Sequence, residues 1–350
     1  MIRKTEGASP SFLSSGNLSR KEGKTFGDET LKVRLGVDVV NEEKVFLKFK
    51  SPRIGFVCGK RGMGKSFTLG VISDQLSRFS DVLVIDTMGV MKIYTEGEAI
   101  KAPEDLKLPL TLVGESLLFV FDLSSNSPQG ILLTRAINDL KRSFYTIRDL
   151  IERVEIDETS SDTTKRALIN RLLSAQDWGI FQEYPSEISF LFEGYKVLDL
   201  SLLRYELRQL VVWTLCDVLL VDRMKERREK HIYMVIDEAQ DYAPSRASEK
   251  NSLVRLAKEG RLPGIGAILA SQQPSAISSG VLSQVDFLIA HKLTLVEDIK
   301  ALRSLTPTFM KGDMGVYMRK LRDPGDAVFI DDVEEDFRIL KVRRWVDEAC

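Results

Sequence analysis

The chain has 350 residues, with 50 Lys plus Arg against 51 Asp plus Glu and a formal net charge of −1. This composition excludes a globally basic nucleic-acid binder and a disordered polyelectrolyte, so any nucleic-acid contact has to be local. Cys58, Cys216 and Cys350 are scattered without paired spacing. They suggest a reducing compartment and no structural zinc. No run reaches the ~18 apolar residues of a membrane-spanning helix and the first residues lack an apolar signal core, so a cytoplasmic, membrane-free protein is expected.

Residues 1–30 are rich in Ser, Gly and mixed charge and read as a flexible arm. LKVRLGVDVV from Leu31 and KVFLKFK alternate apolar and polar residues, as hairpin strands do. Ile54–Cys58 is a short apolar run of the kind that forms a strand buried on both faces. Gly59-Lys60-Arg61-Gly62-Met63-Gly64-Lys65-Ser66 then satisfies G-x-x-x-x-G-K-[ST], and a helix is expected from Phe67. The glycines let successive N–H groups turn inward onto phosphate oxygens, and the helix start adds its dipole. Lys65 reaches the β- and γ-phosphates, and Ser66 holds Mg²⁺. The residues therefore predict binding of a nucleoside triphosphate, taken as ATP, over positions 59 to 67.

DVLVID (81–86) reads as a second buried strand ending on a cleft-facing Asp86, and LLFVFDL (117–123) as a third. Helical periodicity from Gln129 to about Ser174 predicts an insertion at about 125–192 within one ATPase domain spanning 31–350. KVLDL (196–200) restores a strand, and an almost wholly apolar helix follows from Leu203 to about Arg228. IYMVID (232–237), GAILA (266–270), FLIA (287–290), 327–330 and 338–342 read as further strands, with an amphipathic helix over 246–260. Strands alternating with helices imply an α/β fold with a mostly parallel sheet. His231 and His291 adjoin apolar runs and read as strand-end residues.

IYMVID-Glu238 supplies the second half of a hydrolytic site. Adjacent carboxylates ending a buried strand are costly without a cation, so Asp237 is assigned to Mg²⁺ and Glu238 to the attacking water. Gln272, closing the strand 266–270, can hydrogen-bond the γ-phosphate or the water. Arg246, Lys250, Arg255, Lys258 and Arg261 give one short segment a net positive charge, a candidate duplex-DNA contact through Arg246 and Lys250.

The chain resembles the HerA/FtsK superfamily of P-loop motors, most closely the archaeal HerA-type ATPases. The resemblance runs over about 34–343 and rests on LGVDVV, KVLDLSLL, VIDEAQDYAP, KEGRLPGIGAILASQQPS, VLSQVDFLIAHKLT and GDAVFI in that order. It implies a RecA-like fold, a ring (a hexamer) around double-stranded DNA, ATP-driven translocation, and pairing with a NurA-like nuclease. It places Lys65, Ser66, Asp237, Glu238 and Gln272 in catalytic positions. Arg53 matches an arginine acting across the subunit boundary, and Arg261 one near the γ-phosphate. Two departures stand out: the stretch before Ile54 is shorter than the family's N-terminal β-barrel, which bears on nuclease docking, and DTMGVMK replaces a Gly-Glu-Tyr loop. A viral or plasmid packaging ATPase, and an ATP-gated assembly switch without motor activity, fit the same site residues.

Overall fold

The computed structural model describes residues 30–343 apart from 115, 227, 304 and 311, so the expected arm over 1–30 lies outside the described residues except for Thr30, as does Cys350. An antiparallel hairpin, β1 (Leu31–Asp38) and β2 (Lys44–Phe49), leads into the fully buried strand β3 (Ile54–Cys58). Helix α1 (Lys65–Leu76) follows the glycine-rich loop, and β4 (Asp81–Asp86) is buried along its whole length. The short strand β5 (Glu98–Lys101) carries one buried side chain, Ile100, too weak an alternation to read from sequence.

The chain then builds a helical layer from α2 (Leu110–Val113), α3 (Ser116–Val120), α4 (Pro128–Leu140), α5 (Ile147–Glu155) and α6 (Asp162–Gln176). The strand expected over 117–123 is instead α3 and the turn after it. A short apolar run fits either conformation by pattern alone. Here Leu117, Leu118 and Phe121 are buried at helical spacing.

Strand β6 (Tyr195–Asp199) and helix α7 (Tyr205–Lys225) return to the sheet. Then come β7 (Ile232–Ile236), α8 (Ser252–Glu259), β8 (Ile265–Ser271), α9 (Ser279–Leu282), β9 (Phe287–His291), α10 (Val296–Arg303), α11 (Met314–Lys320), β10 (Asp326–Asp331) and β11 (Asp336–Val342). Helix α8 is shorter than the helix expected over 246–260. Asn251 caps it, its side-chain oxygen accepting from the N–H of Leu253 and Val254. Arg246 and Lys250 therefore lie in the exposed turn that precedes the helix.

The sheet has eleven strands in the order β2-β1-β11-β10-β9-β3-β8-β7-β4-β6-β5. From β9 to β5 all neighbours are parallel, while β10, β11, β1 and β2 add an antiparallel flank. Alternate residues feed two cores. Phe56, Leu83 and Ile85 join α7, α8 and the helical layer on one face. Val57, Val82 and Val84 join α1 and the hairpin on the other. Each fully buried Leu, Val or Phe contributes about 1.5–3 kcal/mol, and this double coverage explains why the central strands read as unbroken apolar runs. Cys58 pairs with Ser271, and Ile236 with Leu269, which brings the phosphate loop, Gln272 and Asp237–Glu238 out along one rim.

Candidate nucleotide and hydrolysis site

The phosphate loop is held by its neighbours before any ligand enters. Gly59 (φ +151°) and Gly64 (φ +115°) adopt backbone that L side chains rarely take. A Cβ on Gly59 would meet Cβ of His291 at 2.5 Å, and one on Gly64 would meet the Gly325 nitrogen at 3.2 Å. At Gly62 a Cβ would meet nothing within 4 Å, so the crest of the loop is an open cradle. Lys60 N–H donates to the Lys292 carbonyl (2.9 Å) and Gly325 N–H to that of Met63 (2.9 Å).

His291, the last residue of β9, braces the start of α1. Its Nδ1 lies 2.9 Å from the Asp326 carbonyl and its Nε2 2.9 Å from the Thr68 hydroxyl. A carbonyl only accepts, so Nδ1 carries the proton and Nε2 accepts from Thr68. Burial above all pushes its pKa down to about 4, and the ring is neutral. Nothing in the spacing of the sequence announced this contact.

Lys65 is buried, which lowers its pKa, while the charges of Glu238 and Asp237 oppose that shift. Burial and then Glu238 push Asp237 up to about 6. A cation and an anion both strained by desolvation are what a site shows when its counter-charges arrive with the ligand. The donor set fits a magnesium–triphosphate: Ser66, half-buried, is the second residue of α1, and Asp237 directly follows β7.

Glu238 stands in the left-handed region at φ +51°, at a cost of about 1–2 kcal/mol. Its N–H donates to Asp237 Oδ1 (3.0 Å). Its carboxylate is gripped from two sides, by Gln240 Nε2 at 2.7 Å and by Gln272 Nε2. Strand β8 lies between β3 and β7, so Gln272 sits between the phosphate loop and Glu238. Thr87 donates to the Asp237 carbonyl (3.2 Å) and meets the buried Tyr242 hydroxyl at 2.8 Å. Asp86 does not project free into the cleft: its carboxylate accepts from the N–H of Met91 (2.7 Å), Met88 and Val90, folding the DTMGVMK loop onto itself.

The two arginines are placed differently from expectation. Arg53 is 4% exposed, and both its terminal nitrogens are engaged. They form a fork with Asp331 (3.0 and 2.5 Å), and donate to the carbonyls of Lys48 (2.8 Å) and Asp286 (3.0 Å). Its backbone position, far from its own phosphate loop, is as expected, but the side chain is buried and paired with Asp331 instead of reaching solvent. Arg261 is exposed, in the turn before β8, with Nη2 at 3.5 Å from Ser51 Oγ. Because β8 runs parallel to β3, that turn lies at the end of the sheet remote from its own phosphates, and Arg261 does not reach its own γ-phosphate site.

No family model matches the sequence. A probable helicase of Methanocaldococcus jannaschii is 27% identical over 313 residues, covering 79% of this chain and 60% of the relative. The DNA double-strand break repair helicase HerA of Sulfurisphaera tokodaii is 26% identical over 329 residues, covering 81% and 63%. The chain is similar to a HerA-type helicase over about four fifths of its length. It spans about three fifths of the length of these two relatives. VirB4 of Thermoanaerobacter pseudethanolicus superposes with a TM-score of 0.69 at 16% identity, covering 94% of this chain and 98% of that one. That likeness shows the fold alone, the RecA-like P-loop ATPase arrangement expected from the sequence.

Proposed function

We propose that this chain is a Mg²⁺-dependent ATPase that assembles into a ring, a hexamer, and moves along double-stranded DNA. The observation that carries the hydrolytic part is the fixed Glu238 carboxylate, held by Gln240 and Gln272 across from Lys65 at the open phosphate loop. Lys65 and the loop amides bind the β- and γ-phosphates, and Ser66 and Asp237 would hold a magnesium ion, whose charge would offset that developing on the γ-phosphoryl group. Glu238 orients the attacking water and accepts its proton, while Gln272, bonded to the same carboxylate, senses whether the γ-phosphate is present. Arg261, exposed at the sheet end where Arg53 is buried, is the guanidinium available to a neighbour's site.

The DNA and ring parts rest on the likeness to a probable helicase and to the DNA double-strand break repair helicase HerA. A cytoplasmic setting and a NurA-like partner belong to this same reading. ATP turnover with and without linear duplex DNA, with particle symmetry by electron microscopy, tests it. DNA-stimulated hydrolysis by a symmetric ring supports the motor; nucleotide-driven assembly without DNA stimulation supports a switch instead.

A further inference from the structure

The turn that follows the left-handed Glu238 is held from outside. The turn's carbonyls are taken one by one. Gln209 of α7 donates to that of Asp241, Trp213 Nε1 (2.8 Å) and Asn251 Nδ2 (3.0 Å) donate to that of Tyr242, and Ser278 N–H donates to that of Ala243. Tyr242 is also held at its other end. Thr87 spends its proton on the Asp237 carbonyl, so the Tyr242 phenol donates to Thr87. A fully buried tyrosine thus joins the α7 side of the turn to the backbone immediately before Glu238.

Among these partners Trp213 differs in what stands behind it. Asn251 is committed to capping α8. The Trp213 ring packs edge-on against Phe119 of α3, with centroids 4.7 Å apart, and Phe119 is 45% exposed on the helical layer. A group landing on that surface would press on Phe119, the indole and the Tyr242 carbonyl in turn.

We propose that Trp213 is a positioning residue for Glu238, its indole N–H fixing the hydrolytic turn and its ring coupling that turn to the surface of the helical layer at Phe119. This rests on the hydrolytic reading of Glu238 given above. Trp213→Phe keeps a ring against Phe119 and removes only the donor. ATP turnover, affinity for a non-hydrolysable ATP analogue and the thermal midpoint are measured for wild type, Trp213→Phe, Phe119→Ala and the double variant. The expected result is a kcat for Trp213→Phe lowered about tenfold, with analogue affinity within about twofold of wild type. The double variant should be no slower than Trp213→Phe alone, since both act through one contact. A protein carrying Trp178→Phe and Trp345→Phe leaves Trp213 as the sole indole, and its emission maximum should shift when the analogue binds.

A kcat for Trp213→Phe within twofold of wild type overturns the proposal, as does a parallel fall of kcat, affinity and midpoint, which marks a merely structural role. An emission spectrum indifferent to nucleotide overturns it too, whether or not Trp213→Phe folds. A wild-type protein without turnover overturns the hydrolytic reading beneath it. Wild-type hydrolysis with an unaffected Trp213→Phe removes this inference alone.

Discussion

Arg53 and Asp331 face each other as a two-pronged ion pair, Nη1 to Oδ2 at 3.0 Å and Nη2 to Oδ1 at 2.5 Å, both side chains almost fully buried. The pair ties the start of β3 to the end of β10 at the rim of the sheet opposite the phosphate loop. Asp331 also accepts from the N–H of Val333 and Glu334, so the carboxylate shapes the β10–β11 turn as well.

Removing one partner strands the other charge in the interior. Arg53→Ala should lower the unfolding free energy by about 3–5 kcal/mol, whereas Arg53→Met combined with Asp331→Leu should lose much less. Urea unfolding curves measure both. Folded Arg53→Ala rings that bind ATP yet never hydrolyse it would return Arg53 to the reaction.

Lys65→Ala should abolish tight ATP binding, because loop amides alone leave the β- and γ-phosphate charge uncompensated. Equilibrium binding of a fluorescent ATP analogue checks this. Near-normal affinity would refute the phosphate-loop assignment.

Glu238→Gln should bind ATP and assemble while kcat falls about a hundredfold or more. Steady-state turnover reads the loss, and a rate above half that of wild type would assign the base elsewhere. Mixing this variant with Arg261→Ala under subunit exchange should restore turnover above either alone, since a mixed interface joins an intact Glu238 to an intact Arg261.

His291 makes stability depend on pH. Its folded pKa, about 4, lies below the ordinary 6.5, so as pH falls the unfolded chain takes up a proton first. The stabilisation is therefore complete above pH 6.5 and is lost as pH drops toward 4. Between pH 7.5 and 5 the loss is about 2 kcal/mol. Lys65 and Lys341 oppose the ring's protonation, and Asp326 favours it. Denaturant curves at pH 5 and 7 should show His291→Gln lacking this component, and an identical pH response in both proteins would contradict the assignment.

Charge reversal at Arg246 and Lys250 together should flatten the salt dependence of duplex-DNA binding. Affinities measured across a salt series give the slope. An unchanged slope would make that exposed turn a solvated bystander.

The placement of Lys65, Ser66, Asp237 and Glu238 along one rim of the sheet was legible because they sit in unbroken runs, each attached to an apolar strand that could itself be recognised. Gln272 was legible as the polar residue closing such a strand. What escaped was set by contacts remote in sequence. Asp331 is 278 residues from Arg53, so the arginine's position could be read while its surroundings could not. The grip of Gln240 on Glu238, and that of Tyr242 on Thr87, depend on a left-handed turn that no residue type announces at position 238. Residues 117–123 went wrong for a different reason: an apolar run that short is compatible with strand or helix, and packing decided. At α8 the signal was present in Asn251, a strong cap that marks where the helix starts.

The antiparallel flank also imposes an order on biosynthesis. β1 and β2 leave the ribosome before the rest of this sheet, yet the strand that joins them to it is β11, with Gly36 pairing Val342. At typical elongation rates the hairpin waits roughly 15–60 s for that partner, resting meanwhile on α1, where the Gln75 side chain bonds the backbone N–H and carbonyl of Arg34. A nascent chain stalled before β11 would display the inner edge of β1 unpaired. Such an edge recruits other strands, so chaperone dependence during synthesis should exceed what the finished sheet's burial suggests.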